Sequence, residues 1–449
     1  MHQWTPETDQ LAEGILAYAR RRFASDPAAL GEPHPPEELD RLAGQTITED
    51  GIGANAALEL FETVLAPACT PVDHPRFLAF IPSAPTVAAA LFDLVVSSSS
   101  IYAGSWLEGA GAVHAENQAL RWLADRAGLP AVAGGVFVQG GTLGNLSALV
   151  AARHAARARR VRQPARWQIA ASREAHSSIW TAARVMDVDV VGVPTDDEGR
   201  LSARELRCVL EGQGTGGVFA VVASAGTTNL GLVDDLAGVA EVCEERGLWF
   251  HVDGAYGGAA LAAPSVRHLF TGIERADSIV VDPHKWLFAP FDCCALLYRD
   301  PARARAAHTQ AASYLEALQA RDEWDPSDYA VHLTRRARGL PLWFSLAAHG
   351  SRAYADAIER TLALARVAAN EVRRRPYLEL VREPDLSVVP FRRLGWSPRD
   401  YEEWSSGLLQ AGFALVLPSV HAGETMTRIA IVNPRTTEAD IAAILETMA

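Results

Sequence analysis

Residues 278–286 read Ser-Ile-Val-Val-Asp-Pro-His-Lys-Trp. Ile279, Val280 and Val281 make a short β-branched run that stops at Asp282-Pro283, since proline has no N–H to give to a sheet ladder. Behind this strand end stands Lys285, between His284 and Trp286 in strongly apolar company. Similar runs lie upstream at 136–138, 167–170, 218–222 and 248–252, with Ala-rich helical stretches between them. That alternation predicts an α/β fold around a mainly parallel, helix-covered sheet.

Working outward, Thr5-Pro6-Glu7 opens a leading helix with Leu11, Ile15 and Tyr18 at helical spacing. Residues 31–36 form a proline-rich linker, and Leu58, Phe61, Val64 and Leu65 repeat near the helical period. We expect a helical arm over 1–70 that packs on another subunit, a large domain over 71–335 and a smaller one over 336–449. At 449 residues the chain exceeds what a single core sustains. In the last part we expect a long helix near 342–372, strands at 386–391, 413–417 and 428–431, and a closing helix capped by Thr437.

Hydrophobic content of 49% with 21% charged residues excludes a disordered chain. The net charge of -13 is scattered, and Arg157, Arg159 and Arg160 read as a solvated helix face, which argues against a nucleic-acid partner. Five cysteines, odd in number and without CxxC spacing, fit a reducing cytoplasm. The most apolar stretch, 87–101, is broken by Asp93 and four serines, so we expect a soluble protein without a membrane span. The thirteen histidines show no HExxH or comparable spacing, and no metal is expected.

Three segments carry chemistry. Gln139-Gly140-Gly141-Thr142-Leu143-Gly144-Asn145 joins a strand to a helix, so N–H groups and the Thr142 hydroxyl can meet an anion there; such turns also serve packing alone. Asp253, at the end of a strand, can pair with a ring nitrogen and keep it protonated, or cap a helix. A partly desolvated Lys285 has a lowered pKa and can form a Schiff base with an aldehyde; a snorkelling surface lysine is the plainer reading.

In this order and at these strand ends, the segments resemble the group II pyridoxal-phosphate (PLP) decarboxylases. This is the branch of aromatic-L-amino-acid decarboxylases, with the aspartate aminotransferase-like fold (fold type I), and the likeness runs from about His74 to Arg435. It implies a seven-stranded sheet in the large domain, a small C-terminal α/β domain, a homodimer with active sites at the interface, and PLP on Lys285. By the same resemblance His284 lies near the phosphate with Gly141 and Thr142, and His176, in Ala175-His176-Ser177-Ser178, covers one face of the cofactor while Ala255 backs the other. Thr228 supports Asp253 or the cofactor.

Further matches imply that Phe80, Ile81 and Pro82 line the substrate pocket, and that Arg428 contacts the substrate carboxylate. Tyr329 is the candidate loop proton donor, with Tyr314 as its rival. Asp282 stands where the aromatic branch often carries Asn, and Gly104 where it has a large aromatic lining the pocket; the space can admit an indole or be filled by Tyr102, which is itself a candidate substrate-binding residue. The implied reaction is decarboxylation of an L-amino acid, an aromatic one by the lysine motif, to amine and carbon dioxide. An aldehyde synthase or a transaminating enzyme shares the same lysine, aspartate and phosphate cradle, and a non-catalytic pyridoxal- or nucleotide-binding protein shares the fold.

Overall fold

The computed structural model describes residues 2–24, 30–212, 214–310 and 323–449. The apolar runs become strands of one sheet: β1 (Gly134–Val138), β2 (Gln168–Ser172), β3 (Asp189–Val193), β4 (Val218–Ser224), β5 (Trp249–Asp253), β6 (Ser278–Val281) and β7 (Cys294–Tyr298). Their order is β1-β7-β6-β5-β4-β2-β3. Pairing is parallel from β6 through β5, β4 and β2 to β3, whereas β7 runs antiparallel to both of its neighbours. Residues 282–293 join β6 to β7 with only the one-turn helix Pro283–Trp286 between them, because an antiparallel return needs no long crossover helix.

Alternate residues feed two cores. Val221, Phe250, Val252, Ile279 and Leu297 face one layer, and Phe219, Val222, Trp249, Val280 and Leu296 face the other. Both faces of the sheet are therefore dry, which is why its strands read as continuous apolar runs.

A second sheet takes its strands from the C-terminal part: β8 (Leu378–Leu380), β9 (Val388–Arg393), β10 (Pro418–His421) and β11 (Glu424–Ala430), ordered β10-β11-β9-β8 and all antiparallel. Helices Pro398–Gln410 and Glu438–Glu446 each begin with a capping box, Ser397 with Asp400 and Thr437 with Asp440. The expected strand at 413–417 is absent; Leu415 makes only an isolated bridge to Phe77. The strand comes a few residues later, because Ala422 and Gly423 both have positive φ (52° and 80°) and so close a two-residue hairpin between β10 and β11.

Residues 76–78 do not stay with the first sheet. Leu78 N–H donates to the Leu415 carbonyl, its own carbonyl accepts from Ala430 N–H, and its side chain joins the core of the second sheet. The long helix Leu340–Arg374, interrupted where Gly350 takes φ 78°, touches β8 and β9 of the second sheet and shares the core of the first through Leu342, Ile358 and Leu362. The arm helices Pro6–Ala24, Pro36–Ala43 and Ala54–Leu60 contain no buried residue and are tied down by ion pairs Arg21–Glu62 and Arg22–Asp73, both 2.6 Å. Among the described residues no helix is long and apolar enough to cross a membrane.

Candidate active site

The C-terminal ends of β1, β2, β4, β5 and β6 open into one cavity of about 360 Å³, where ligands settle in sheets of this kind. Beyond β1 the chain turns at Gly140 into helix Gly141–Arg159, whose first N–H groups have no partner within the helix. A side chain on Gly141 would come 3.1 Å from the Ala255 Cβ and 3.2 Å from Asp282 Oδ2, so this helix end approaches β5 and β6 closely only because the residue is glycine.

Asp253, 8% exposed at the end of β5, receives hydrogen bonds on both oxygens, from Ala255 N–H to Oδ1 (3.1 Å) and from Asn145 Nδ2 to Oδ2 (2.8 Å). Asn145 is the hub of a longer chain. Trp249 Nε1 donates to Ser278 Oγ (2.8 Å), which pairs with His251 Nδ1 (2.8 Å), while His251 Nε2 meets Asn145 Oδ1 (2.9 Å). An amide oxygen only accepts, so Nε2 carries the His251 proton and the Ser278 hydroxyl donates to Nδ1. Burial holds the His251 pKa down to about 4, which keeps the ring neutral and this direction of donation intact.

From the same hub, Asn145 Nδ2 also donates to Ser178 Oγ (2.9 Å), which lies 2.9 Å from His176 Nδ1. Ser178 N–H donates to that same nitrogen at 3.2 Å, so Nδ1 is the acceptor and the His176 proton sits on Nε2.

Lys285 follows β6 in the one-turn helix Pro283–Trp286, with Nζ 2.8 Å from Asp282 Oδ2. The expectation of a lowered lysine pKa is overturned. Burial alone would lower it, but the Asp282 carboxylate, with Asp253 behind it, outweighs burial and raises it. The neighbouring His284 is pushed down by burial, and its Nδ1 lies 2.7 Å from the Cys293 carbonyl.

Of the residues singled out in the sequence, Gly141, Thr142, His176, Thr228, Asp253, Ala255, His284, Lys285, Phe80, Ile81 and Arg428 line this one cavity. Arg428, on β11, donates from Nη1 to the Phe80 carbonyl at 2.9 Å, so the second sheet supplies part of the wall. Three do not line it. Pro82 is buried beside it. Tyr102 sends its hydroxyl to the Leu333 carbonyl (3.2 Å), and its ring fills the place a Gly104 side chain would take. Tyr329, 4% exposed, stacks on Trp324 with ring centroids 4.0 Å apart, and Tyr314 lies outside the described residues.

Sequence reasoning assigned no role to Asn145, Ser178 or His251, and saw Asp282 only as a departure. Thr228 makes no hydrogen bond to Asp253, whose side-chain donors are Asn145 and the Ala255 amide. Asn145 closes the quoted Gly-rich turn, and its place one helical turn past Gly141 was the available signal.

An anion at the helix end, a basic ring nitrogen against a carboxylate that only receives donors, and an aldehyde within reach of a lysine are all features of pyridoxal phosphate, and these residues fit each of them. Fold and cavity thus define a fold-type-I PLP enzyme. The chain belongs to the pyridoxal-dependent decarboxylase family: the family model described as the pyridoxal-dependent decarboxylase conserved domain matches residues 36–394. It is 30% identical over 415 residues to an aromatic-L-amino-acid decarboxylase of Bacillus atrophaeus, covering 89% of this chain and 86% of that one. It is 32% identical over 425 residues to an L-2,4-diaminobutyrate decarboxylase of Rhizobium meliloti, covering 91% and 83%. Among solved structures, Oryza sativa TDC with PLP and tryptamine superposes with a TM-score of 0.89 at 27% identity, covering 99% of each chain. The protein is a PLP-dependent amino acid decarboxylase, a carboxy-lyase.

Proposed function

We propose that the chain decarboxylates an aromatic L-amino acid to its amine, in the cytoplasm and as a homodimer. The observation that carries the substrate class is the cavity lining. Arg428 is its one guanidinium among the described residues, and beside it stand the apolar Phe80 and Ile81. One cation suits one carboxylate; an acidic side chain would need a second. The likeness to an aromatic-L-amino-acid decarboxylase supports the same choice, while the likeness to a diaminobutyrate enzyme makes it the point to test.

In this reading the helix end at Gly141 and Thr142 holds the phosphate, Asp253 holds the ring nitrogen, and Ala255 and His176 lie on the two faces of the ring. Bound PLP supplies the electron sink for the carbanion left by carbon dioxide. Arg428 grips the substrate carboxylate, and since β11 holds the arginine in place, it sets which bond stands across the ring. For the proton that replaces carbon dioxide, Tyr329 and Tyr314 are the two candidates, and the burial of Tyr329 against Trp324 favours Tyr314.

A second copy of the chain would cover Val87, Leu91, Leu94 and Val95, which stand exposed along helix Val87–Ser98, and the arm, whose helices bury nothing. Five unpaired thiols suit a reducing compartment.

The deciding experiment records visible spectra of the protein and its Lys285→Ala variant, then assays amine, carbon dioxide and aldehyde from aromatic, acidic and diamino acids. Amine and carbon dioxide from aromatic substrates are expected, with the absorption band lost in the variant. Turnover of only acidic or diamino acids would refute the substrate class, and aldehyde as the main product would refute simple decarboxylation. Tyr314→Phe should lose amine formation at least tenfold more than Tyr329→Phe; the reverse order would restore Tyr329.

A further inference from the structure

The site leaves one buried charge without a role. Asp282 is 2% exposed, and of its two oxygens Oδ2 contacts Lys285 Nζ at 2.8 Å while Oδ1 is buried with no nitrogen or oxygen donor among the described residues. An anion so far from water persists only where a cation stands against it.

The other groups around this pair are poorer partners. On the same turn, His284 Nε2 is 3.8 Å from Asp282 Oδ2, beyond hydrogen-bonding range. Asp253, from β5, is already served by Asn145 and the Ala255 amide. On β7, the Cys294 thiol is placed to hydrogen-bond Asp282, but burial pushes its pKa up, so it stays neutral and brings no positive charge. Across the cavity, Arg428 donates to the Phe80 carbonyl, and His176 receives from Ser178. Among the described residues Asp282 is therefore the carboxylate in direct contact with Nζ.

We propose that Asp282 is the standing counter-ion of the Lys285 nitrogen, holding a positive charge on that atom both as the free ammonium and when it carries the cofactor. The inference rests on the reading of Lys285 as the cofactor lysine. Its consequence is that the cofactor-bearing nitrogen keeps its proton to higher pH than it would beside a neutral amide. When substrate displaces the lysine, the released ammonium returns to a partner already in place. Asp282 is thus a positioning residue for charge.

The test titrates the visible absorption of the holoenzyme with pH, in the wild type and in Asp282→Asn, which keeps the shape and removes the charge. The midpoint at which the long-wavelength band gives way should fall in the variant by about one pH unit or more, the effect expected of an opposite charge at this distance. An unchanged or higher midpoint overturns the proposal. Should the variant fail to fold, reductive methylation of Lys285 in the wild-type apoprotein, followed by mass spectrometry across pH, decides instead. A midpoint at or above that of a free lysine, about 10.4, supports the ion pair, and one clearly below it overturns it. A wild-type protein that forms no band with added PLP would defeat the reading of the site itself, an outcome distinct from an unshifted midpoint.

Discussion

Asn145 shows how much one amide can organise. Its oxygen accepts from His251 and its nitrogen donates to both Asp253 and Ser178, so a single side chain orients the carboxylate and, through Ser178, the tautomer of His176. Asn145→Ala strands buried partners on each side, at roughly 1–3 kcal/mol for each unsatisfied group. We expect the variant to unfold at lower urea concentration and to bind PLP at least tenfold more weakly by fluorescence titration. Unchanged PLP affinity would show that the Ala255 amide alone suffices to hold Asp253. Lys285 carries the opposite lesson: sequence gave its neighbours and its apolar setting, and from these a lowered pKa followed, but the 2.8 Å contact with Asp282 reverses the sign.

At the scale of elements, helix Gly141–Arg159 lies against the sheet along glycines. A Cβ on Gly144 would sit 2.8 Å from Val280 Cγ1 and 3.1 Å from Cys294 Sγ, so Gly144→Ala must lift the helix off β6 and β7. The expected loss is about 1–3 kcal/mol by urea unfolding. Gly407→Ala, in helix Pro398–Gln410 with nothing within 4 Å, should instead gain roughly 0.5–1 kcal/mol; equal effects at the two positions would contradict the packing argument. Five of the seven large-sheet strands were legible because both of their faces are dry. The others were not: β3 is a half-exposed edge, and β7 follows β6 too closely for a βαβ pattern. In the second sheet β10 hid behind Pro418 and the turn at Ala422-Gly423, while the apolar 413–417 run imitated a strand.

For the whole molecule, burial sets the response to acid. His308 and His332 are pushed down to about 4, against about 6.5 in an unfolded chain. Between those values the unfolded chain binds protons that the folded one refuses, so stability is full above pH 6.5 and falls as the pH drops toward 4. Asp234 acts the other way: burial lifts it to about 7, so its contribution grows as the pH falls below 7. Together with His251, three histidines oppose one carboxylate, and thermal melting should move to lower temperature from pH 7 to pH 5. His332→Phe should flatten that slope, because burial is the largest cause of its lowered pKa; an unchanged slope would count against this origin.

The cavity wall is a seam. Phe80 and Arg428 close it from the side of the second sheet, while β1, β4, β5 and β6 close it from the first. A cofactor seated in a seam works as an adhesive: its binding energy adds to the joint as well as to either half. In a calorimeter the loaded protein should therefore melt in one transition at a higher temperature than the empty one, with any low-temperature shoulder of the empty protein absorbed into it.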